Sequence, residues 1–490
     1  MQEIVDWLNG IIWSNALIFL CLGTGLFFSI LTRFVQVRLF KEMIRLLFSS
    51  KESERGISSF QALSVSLSGR VGTGNIAGVA AAIGFGGPGA VFWMWIVAFL
   101  GASTAYVESA LGQIYKEEDE GQYRGGPAYY IEKAMGQKWY AWIFAITTII
   151  ATGLLLPGVQ SNSIGNAAEL AFGGETLINF FGDSISATKM ATAVIVVTVL
   201  GFIIFGGVKR IAHFTQIVVP FMALGYIVMA LGVIAFHIGD LPEIVALIVT
   251  DAFTPMAGVG AAIGWGVKRG VYSNEAGQGT GPHAASASEV EHPAQQGLVQ
   301  AFSVYVDTLF VCSATAFMIL ITNQYYVTGV EVVVSGGTLA TDIQANSPAF
   351  TQYALESVLG GFGKTFVAVA LFFFAFTTLL AYYYIAETNV AYIRRTIRFR
   401  GEIVILKLAL MTSVFYGTVR SADLAWALGD VGVGIMAWLN IIGILILFLM
   451  GRPALRALQD YEAQRKAGVT KYTFEPGKLG IKNADFWEKR

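Results

Sequence analysis

The sequence is poor in charged residues. They make up only 13% of its 490 residues and give a net charge of -1, whereas 55% of the residues are hydrophobic and the mean hydropathy is +0.62. A soluble globular protein carries about 25% charged residues, so this composition indicates a membrane protein. Binding nucleic acid requires a concentrated basic face, which this balance does not provide. We therefore expect the lipid bilayer as a partner and no nucleic acid.

Cysteines and catalytic motifs are also scarce. Cys21 and Cys312 fall inside apolar runs, where a thiol behaves as a small hydrophobe, so we expect neither a disulfide nor a zinc site. The sequence contains no HExxH, GxxxxGK[ST] or GxSxG motif, which argues against an enzyme, an ATP-driven mechanism and a cofactor. The four histidines lack metal-ligand spacing, and we expect each to be exposed near a loop: His213, His237, His283 and His292.

Apolar residues are abundant and occur in blocks of about twenty, the length that a helix needs to cross a bilayer. We predict an all-α membrane protein with about eleven crossings, each ended by a charged or Gly/Pro-rich break. The first block, about residues 11–31, follows Glu3 and Asp6 and is too long for a signal-peptide core, so we interpret it as a retained helix. The predicted crossings are centred near residues 21, 71, 102, 148, 197, 225, 268, 310, 374, 411 and 441.

The distribution of basic residues predicts the orientation of the chain. Lysine and arginine collect near residues 33–55, 209–210 and 394–400, whereas the loops near 238–256 and 323–350 contain acidic residues but no lysine or arginine. Basic loops stay on the cytoplasmic side, so we predict an outside N-terminus and a cytoplasmic tail over 451–490 in the inner cell membrane. This orientation requires an odd number of crossings, and eleven satisfies it.

Two of these segments are poor membrane helices because of their glycines. They read SVSLSGRVGTGNIAGVAAAIGFGGPG over 64–89 and AGVGAAIGWGVKRGVYSNEAGQGTGPHAAS over 257–286. Glycine costs about 1 kcal/mol relative to alanine inside a helix, so such clusters indicate either broken helices or close packing through small residues. Irregular backbone at membrane depth survives only where it is buried in protein or lines a cavity.

The placement of the two segments favours broken helices. One opens the second to sixth crossings, about 59–236, and the other opens the seventh to eleventh, about 257–450, so the two enter the membrane from opposite sides. We predict one transport domain over 1–450, in which a peripheral first helix precedes a five-plus-five inverted repeat. In such repeats the discontinuous first helices meet at a binding site near the bilayer midplane.

The two breaks supply the candidate binding groups. The N-terminus of a half-helix suits a substrate carboxylate, and free carbonyls suit a cation such as sodium. Hydroxyl and amide side chains add oxygens, which a hard cation prefers. The candidates are Gly72, Thr73, Gly74 and Asn75 in the first break and Ser273, Asn274, Gly277 and Gly279 in the second.

Other crossings contain polar residues with two interpretations each. Thr377 and Thr378 either face an ion or bond back to the preceding turn, which is common in membrane helices. Tyr382 shares a face with Thr378, and it either closes a pocket or belongs to an interfacial belt. Gln160, like Asn162, either contacts substrate or ties helices together. Enlarging the site by Tyr382→Ala should then admit longer amino acids.

Ionisable residues at membrane depth are expensive and are functional candidates. A lone buried charge is costly, so some of these residues should pair. We hypothesise that Arg70 is neutralised by Glu108 or Asp307 in a structural pair. The candidates are Arg70, Glu108, Lys268, Arg269, Glu275, Asp307 and Glu387.

Four stretches resemble the alanine or glycine:cation symporter family, and the resemblance extends over about residues 10–470. It implies eleven helices of the leucine-transporter type, with sodium as coupling ion and alanine or glycine as substrate. The stretches are SGRVGTGNIAGVAAAIGFGGPGAVFWMWIVAFLG, YRGGPAYYIEKAMG, GVYSNEAGQGTGPHAASASEVEHPAQQGLVQ and FAFTTLLAYYYIAE.

The resemblance also implies roles for individual residues. The amino-acid site would comprise Gly72, Thr73, Gly74, Gln160 and Tyr382. The sodium site would combine carbonyls near Ser68 and Val71 with the hydroxyls of Thr377 and Thr378, which reverses the back-bonding interpretation of these threonines. Arg70 has no place in this pattern.

The sequence therefore predicts an alternating-access symporter that imports a small neutral amino acid with sodium. The alternative is the same fold coupled to protons, with Glu108 or Glu275 as the carrier. A channel would need repeated pore-lining rings, which the sequence lacks, and an enzyme would need a catalytic constellation.

Overall fold

A computed structural model describes residues 2–49, 55–180, 183–253, 259–328, 338–340, 342–398, 400–420 and 422–489. Residues 257 and 258, at the predicted start of the second glycine-rich segment, lie outside these ranges. The first twelve α-helices are α1 (Gln2–Ile12), α2 (Asn15–Leu31), α3 (Val35–Arg38), α4 (Phe40–Leu46), α5 (Ser59–Arg70), α6 (Val79–Gly86), α7 (Gly89–Ile114), α8 (Pro127–Met135), α9 (Lys138–Ile150), α10 (Leu156–Phe172), α11 (Ala187–Ile204) and α12 (Gly207–Phe236).

The remaining α-helices are α13 (Leu241–Asp251), α14 (Val259–Asn274), α15 (Gly281–Ala287), α16 (Pro293–Tyr305), α17 (Ser313–Ile321), α18 (Ala349–Leu359), α19 (Phe362–Arg394), α20 (Glu402–Val419), α21 (Ala422–Leu449), α22 (Pro453–Lys466) and α23 (Asp485–Glu488). Among the described residues, three π-helical turns interrupt the regular helices: Gly74–Gly78, Ala151–Leu155 and Val306–Cys312. Two antiparallel hairpins are formed by β1 (Glu117–Asp119) with β2 (Gln122–Arg124) and by β3 (Leu177–Phe180) with β4 (Asp183–Ser186).

Eight helical segments in the described part of the chain are long and apolar enough to cross a bilayer. Each has at least 18 residues, and the mean hydropathy of its most apolar window lies between 1.6 and 2.5. Large apolar side chains such as Phe221, which is 81% exposed, point outward as contact with lipid requires. The segments, each containing one predicted centre, are Gly89–Ile114, Lys138–Phe172, Ala187–Ile204, Gly207–Phe236, Pro293–Ile321, Phe362–Arg394, Glu402–Val419 and Ala422–Leu449.

The first predicted crossing is a bent pair of helices. α1 and α2 meet at an angle of 42° and together are long and apolar enough to span the bilayer. The pair begins at Gln2, earlier than the predicted start at residue 11. Its first half is held against α21, because the Asn9 side chain donates to the carbonyl of Ala427 (2.8 Å) and the Trp438 ring donates to the carbonyl of Ile12 (3.0 Å).

Both glycine-rich segments are interrupted helices, as their composition predicts. The first consists of α5, a turn at Val71, the π-helical residues Gly74–Gly78 and α6. The second consists of α14, the irregular residues 275–280 and α15. Glu275 and Gly277 in this stretch adopt positive φ angles of 57° and 87°, which a continuing helix does not allow. The two interruptions place irregular backbone inside the protein, where other chain segments surround it.

Residues 453–489 fold back onto one end of the helical assembly, which we call the tail face. Glu462 of α22 forms an ion pair with Arg38 (2.7 Å), and the Tyr461 hydroxyl donates to Glu42. Near the end of the chain, the Trp487 ring donates to the carbonyl of Gln113 at the end of α7 (2.9 Å). The segment predicted as a tail is therefore packed against the helices that it follows.

Candidate functional site

The first break lies in the fully buried centre of the protein. α5 ends at Arg70, and the freed backbone amides are then satisfied by side chains. The Gly72 N–H donates to Asn75 Oδ1 (2.8 Å), and the Thr73 N–H donates to Gln160 Oε1 (2.9 Å). The structure thus brings Gly72, Thr73, Asn75 and Gln160 together, as the sequence predicts. An anion could replace these side-chain oxygens as acceptor, since half-helix amides favour negative charge.

Gly72 fits its position because there is no space for a side chain. A Cβ atom there would lie 2.9 Å from Gln160 Oε1 and closer still to Thr378 Oγ1. Gly74 is similarly confined, since a Cβ atom would lie 3.2 Å from both the Cα of Ser273 and the Tyr272 ring. The two glycines allow α14, α10 and α19 to approach the broken backbone closely.

Asp307 links the first break to the second broken helix. Its Oδ1 accepts from Asn75 Nδ2 (2.6 Å) and from the Ser273 hydroxyl (3.0 Å), and its Oδ2 accepts from the Thr308 hydroxyl (2.7 Å). Asn75 therefore uses its oxygen to cap Gly72 and its nitrogen to contact Asp307. The sequence identified Asp307 as an ionisable residue at depth and as a possible partner of Arg70. It did not identify Asp307 as a link between the breaks, because Asn75 and Ser273 are more than thirty positions away along the chain.

Two tyrosines enclose Gln160. Tyr382 is 2% exposed, and its hydroxyl and that of Tyr272 lie beside the Gln160 side chain. The prediction had included Tyr382 but not Tyr272. The position of Tyr272 directly before Ser273 in the broken helix was the signal that could have identified it. A glycine-lined backbone faced by an amide and two phenols suits a small ligand with polar ends.

The residues predicted to bind sodium are only partly brought together. The Thr378 hydroxyl lies 3.5 Å from the carbonyl oxygen of Val71 and donates to the carbonyl of Phe374 (3.0 Å). The Ser68 hydroxyl donates to the carbonyl of Val65 within its own helix (2.7 Å). The structure therefore joins α5 and α19 through Val71 and Thr378.

Thr377 has different surroundings from Thr378. Its hydroxyl donates to the carbonyls of Phe373 and Phe374 (3.0 Å each) and lies 3.8 Å from the sulfur of Met222 on α12. The side chain is thus bonded back to the preceding turn, the arrangement common for threonine in membrane helices.

Glu108 organises the second break. Its carboxylate accepts from the N–H groups of Gly277 (3.2 Å) and Gly279 (3.1 Å) and from the amide of Asn440 (2.7 Å). Asn274 Oδ1 accepts from the Ala276 N–H (3.0 Å), while its buried Nδ2 finds no hydrogen-bond partner within the described ranges. Backbone amides freed by the break explain this placement of Glu108, because a carboxylate satisfies several donors at once.

Arg70 lies between the two breaks. Its Nη1 donates to the carbonyl of Gln300 (3.1 Å) and to the Ser303 hydroxyl, whereas Nε and Nη2 have no hydrogen-bond partner in the part of the chain that the structure describes. The negative charges that act on it belong to three carboxylates, those of Glu275, Glu108 and Asp307. Three carboxylates therefore share the neutralisation of the Arg70 charge, whereas we hypothesised a single pair with Glu108 or Asp307.

Glu275 borders a small cavity on the side of the breaks that faces the tail. Its Oε2 accepts from the Thr280 hydroxyl (2.9 Å), and its buried Oε1 has no hydrogen-bond partner among the described residues. The cavity has a volume of about 10 Å³, enough for one water molecule, and is also lined by Gly69 and Ala381. An acceptor oxygen beside such a space can bind water or a proton.

The expectation that the four histidines are exposed is wrong for two of them. His283 and His292 are fully buried. His283 contacts the carbonyl of Thr280 (3.0 Å) and the amide of Asn389 (2.9 Å), and His292 caps α16 by accepting from the Ala294 N–H (3.1 Å). His283 lies in the short helix α15 and His292 in the loop directly before α16, and both segments are packed between longer helices. In the described residues, no group of three or more His, Cys, Asp or Glu side chains is placed to hold a metal ion.

The remaining predicted ionisable residues form ion pairs. Glu387 on α19 lies 3.5 Å from Arg124 of β2, near the tail face. Lys268 and Arg269 both pair with Asp430 of α21. Asn162 ties α10 to α20, since its amide donates to the carbonyls of Gly417 (3.0 Å) and Arg420 (2.7 Å). Of the two amides considered on α10, only Gln160 reaches the first break.

Residues 1–475 match the sodium:alanine symporter family. The chain is 57% identical to the "Putative sodium/proton-dependent alanine carrier protein YrbD" of Bacillus subtilis (strain 168), over 100% of this chain and 98% of that protein. It is 48% identical to a "Sodium/proton-dependent alanine carrier protein" of Bacillus sp. (strain PS3), over 91% and 97%. It is 39% identical to the "Probable sodium/glutamine symporter GlnT" of Bacillus subtilis (strain 168), over 96% and 92%.

Proposed function

Because this chain belongs to the sodium:alanine symporter family and is a cation-coupled alanine symporter, we propose that sodium drives its import of alanine and of glycine through the inner cell membrane. The observation that carries the proposal is the buried first break, where the amides of Gly72 and Thr73 donate to Asn75 and Gln160 and Tyr382 lies beside Gln160. A small amino acid has a carboxylate for the amides and an ammonium group for the Gln160 oxygen.

We propose eleven crossings with the N-terminus outside. Eight long helices, the bent α1–α2 pair and the two interrupted helices supply this number. The five crossings within about 59–236 and the five within about 257–450 form an inverted repeat, and α1–α2 lies beside it. Support comes from the two interruptions, each of which opens one half and contributes backbone to the same buried centre.

Binding of alanine exchanges hydrogen bonds that the structure already contains. The substrate carboxylate replaces Gln160 Oε1 as the acceptor for the Thr73 N–H, and the released amide oxygen accepts from the ammonium group. Gly74 lets α14 approach the break closely, and Tyr272 and Tyr382 limit the length of the substrate's side chain. Asn75 and Asn274 position the two breaks around it.

Sodium binds between α5 and α19 in this proposal. The carbonyl oxygens of Ser68 and Val71 and the hydroxyl of Thr378 provide the ligands, and Thr377 joins them only if its hydroxyl leaves the preceding turn. Binding of the ion fixes the end of α5 and so organises the amides of Gly72 and Thr73. Through this link, substrate affinity should depend on the ion, since each ligand favours the same arrangement of the break.

Uptake of labelled alanine into proteoliposomes tests the proposal. We expect accumulation with an inward sodium gradient and none with potassium in its place. Unlabelled glycine should compete, whereas glutamine should compete poorly with the unmodified protein. An absence of stimulation by sodium would overturn sodium as the coupling ion.

The Tyr382→Ala variant tests the placement of the substrate site. Removing this ring should let glutamine compete with labelled alanine, because the ring lies beside Gln160 and limits the length of the pocket. The matched control is Tyr383→Ala, which removes the same volume from the adjacent position of α19 and should leave selectivity unchanged. Identical selectivity of the two variants would contradict the placement of Tyr382.

Proton coupling is the second candidate, and the surroundings of Glu275 favour it as the carrier. Its Oε1 is buried, lacks a hydrogen-bond partner and borders a cavity the size of one water molecule. Glu108, by contrast, is occupied by two backbone amides and Asn440. A pH gradient without sodium should then drive uptake by the unmodified protein and not by Glu275→Gln. Equal uptake by both would exclude this role of Glu275.

A further inference from the structure

A cluster of buried charges joins α14 to α21 close to the first break. The Arg269 guanidinium contacts Asp430 through two hydrogen bonds of 2.9 Å, and Lys268 Nζ lies 2.6 Å from the same carboxylate. The side chains of Arg269 and Asp430 are only 2% and 4% exposed. Arg269 precedes Asn274 by five residues, which corresponds to about 7 Å along a helix. The cluster therefore lies one to two turns from the proposed substrate site.

Aromatic rings complete a layer around these charges. The guanidinium of Arg269 lies 4.6 Å from the ring centre of Trp426, and that ring lies 5.1 Å from the ring of Tyr272. A Cβ atom at Gly78, just past the first break, would lie 3.8 Å from Trp426 and 4.0 Å from Arg269. The layer thus joins α14, α21 and the π-helical turn, and its Tyr272 ring lies against the first break, 3.2 Å from where a Cβ atom of Gly74 would be.

The N-terminal helix pair holds the acidic side of this layer. The Trp13 ring donates a hydrogen bond to the carbonyl of Asp430 (2.9 Å), and Asn9 donates to Ala427 one turn earlier (2.8 Å). Lys268 lies 5.7 Å from the Trp13 ring centre. Three elements therefore converge on Asp430, although α1–α2 lies outside the two proposed repeats.

We propose that the Lys268, Arg269 and Asp430 cluster is the gate that closes the substrate site on the side away from the tail face, with Trp13 as its positioning residue. The inference rests on the proposed function, because a gate has a role only if substrate passes. Charges suit this task for a physical reason: a buried ion pair gains hydration when it separates, which offsets the lost contacts. The open and closed arrangements can then have similar free energies, as alternating access requires.

Labelling of a cysteine at Gly78 tests the gate without depending on transport. The position is covered by Trp426 but has room for a Cβ atom, and the native Cys21 and Cys312 are first replaced by alanine and serine. A charged, membrane-impermeant thiol reagent is added outside intact cells. Opening of the gate should raise the labelling rate of Gly78→Cys by about tenfold in the Asp430→Asn background, because Lys268 and Arg269 lose their partner.

Two further variants make the test specific. Trp13→Phe keeps the ring but removes the hydrogen bond to Asp430, so labelling should rise by about threefold. Asp423→Asn, an exposed acid in the first turn of the same helix, is the control and should leave the rate unchanged. Unchanged labelling in both Asp430→Asn and Trp13→Phe would overturn the gate. If Asp430→Asn does not fold, unchanged labelling in Trp13→Phe alone would do so.

The same proteins separate failure of the gate from failure of the proposed function. Sodium-driven alanine uptake by the unmodified chain tests the function, and labelling tests the gate. If the unmodified chain takes up alanine but labelling is unchanged in both gate variants, the gate is contradicted and the proposed function stands. Faster labelling in both variants, in a chain that shows no sodium-dependent uptake, supports the gate and contradicts sodium coupling.

Discussion

The hydroxyl of Thr378 lies 3.5 Å from the carbonyl oxygen of Val71, and this contact joins α19 to the end of α5 at the first break. Both hydroxyls bond back to the preceding turn, but that of Thr377, its neighbour, faces the sulfur of Met222 on α12 instead of the first break. The two adjacent hydroxyls therefore differ in the partner that each faces. Replacing each threonine should therefore affect sodium binding to a different extent.

Thr378→Val should weaken sodium binding more than Thr377→Val does. Valine keeps the shape of threonine but removes the hydroxyl that faces Val71, so we expect the sodium concentration for half-maximal alanine uptake to rise by about tenfold. Thr377→Val should change it by less than about threefold, because its hydroxyl faces Met222 and not the carbonyl of Val71. Uptake measured over a range of sodium concentrations gives both values. A larger effect of Thr377→Val would place the ion on the other side of α19.

Gly72→Ala should abolish alanine uptake while the protein remains folded. A Cβ atom there would press against Thr378 Oγ1 and Gln160 Oε1, and so displace two groups of the proposed sites. The control is Gly23→Ala in α2, where a Cβ atom meets nothing within 4 Å. Size-exclusion profiles and thermal unfolding in detergent report folding, and proteoliposomes report uptake. Normal uptake by Gly72→Ala would contradict the close approach of α19 and α10 to this break.

Asp307→Asn should loosen the connection between the two breaks. Both carboxylate oxygens of Asp307 accept hydrogen bonds, one from Asn75 and Ser273 and the other from Thr308. The NH2 group of an asparagine would have to face one of these sets of donors. A buried donor without an acceptor costs about 1–3 kcal/mol. We expect a lower melting temperature and a weaker alanine affinity, both partly restored in the Asp307→Asn, Asn75→Asp double variant, which reverses the contact. Isothermal calorimetry with alanine in saturating sodium measures the affinity. Equal affinities of the single and double variants would show that this contact does not organise the break.

The sequence predicted the crossings and the breaks because both have local causes. Hydropathy identifies a helix in lipid from about twenty neighbouring residues, and glycine weakens a helix wherever it occurs. The contacts that complete the site are not local: Trp13 and Asp430 are 417 positions apart, and Glu108 caps residues 169 and 171 positions away. Burial of His283 and His292 was missed for the same reason, since the segments that cover them lie far along the chain.

The direction in which a side chain points was equally beyond the sequence. Thr377 and Thr378 are adjacent and chemically identical, and only the packing of α12 and α5 against α19 distinguishes their hydroxyls. Tyr272 escaped prediction because aromatic residues are common in membrane helices. Its role follows from the approach of α14 to Gly74, which depends on the fold of the whole chain.

Docking of the C-terminal segment should weaken in mild acid because of His292. Its Nδ1 accepts from the Ala294 N–H, so Nε2 carries the hydrogen that it donates to Asp460 (3.1 Å). Burial holds the pKa of His292 below its usual value, and the hydrogen bond from His292 holds the pKa of Asp460 below its own. A second proton would have to occupy Nδ1 and would break the cap of α16.

The sign of the effect follows from the lowered pKa of His292. The unfolded chain takes up the proton at a pKa of about 6.5 and the folded chain only at lower pH, so stability falls as the pH drops below that value. Loss of the Asp460 contribution begins only below its unfolded pKa of about 3.9. Hydrogen exchange of α22, corrected for intrinsic rates, should therefore be faster near pH 5.5 than near pH 7.5, by about threefold or more. His292→Asn, whose side-chain oxygen can still cap α16, should remove this pH dependence, whereas His213→Asn on an exposed face should not. A pH dependence that persists in His292→Asn would assign it to another group on the tail face.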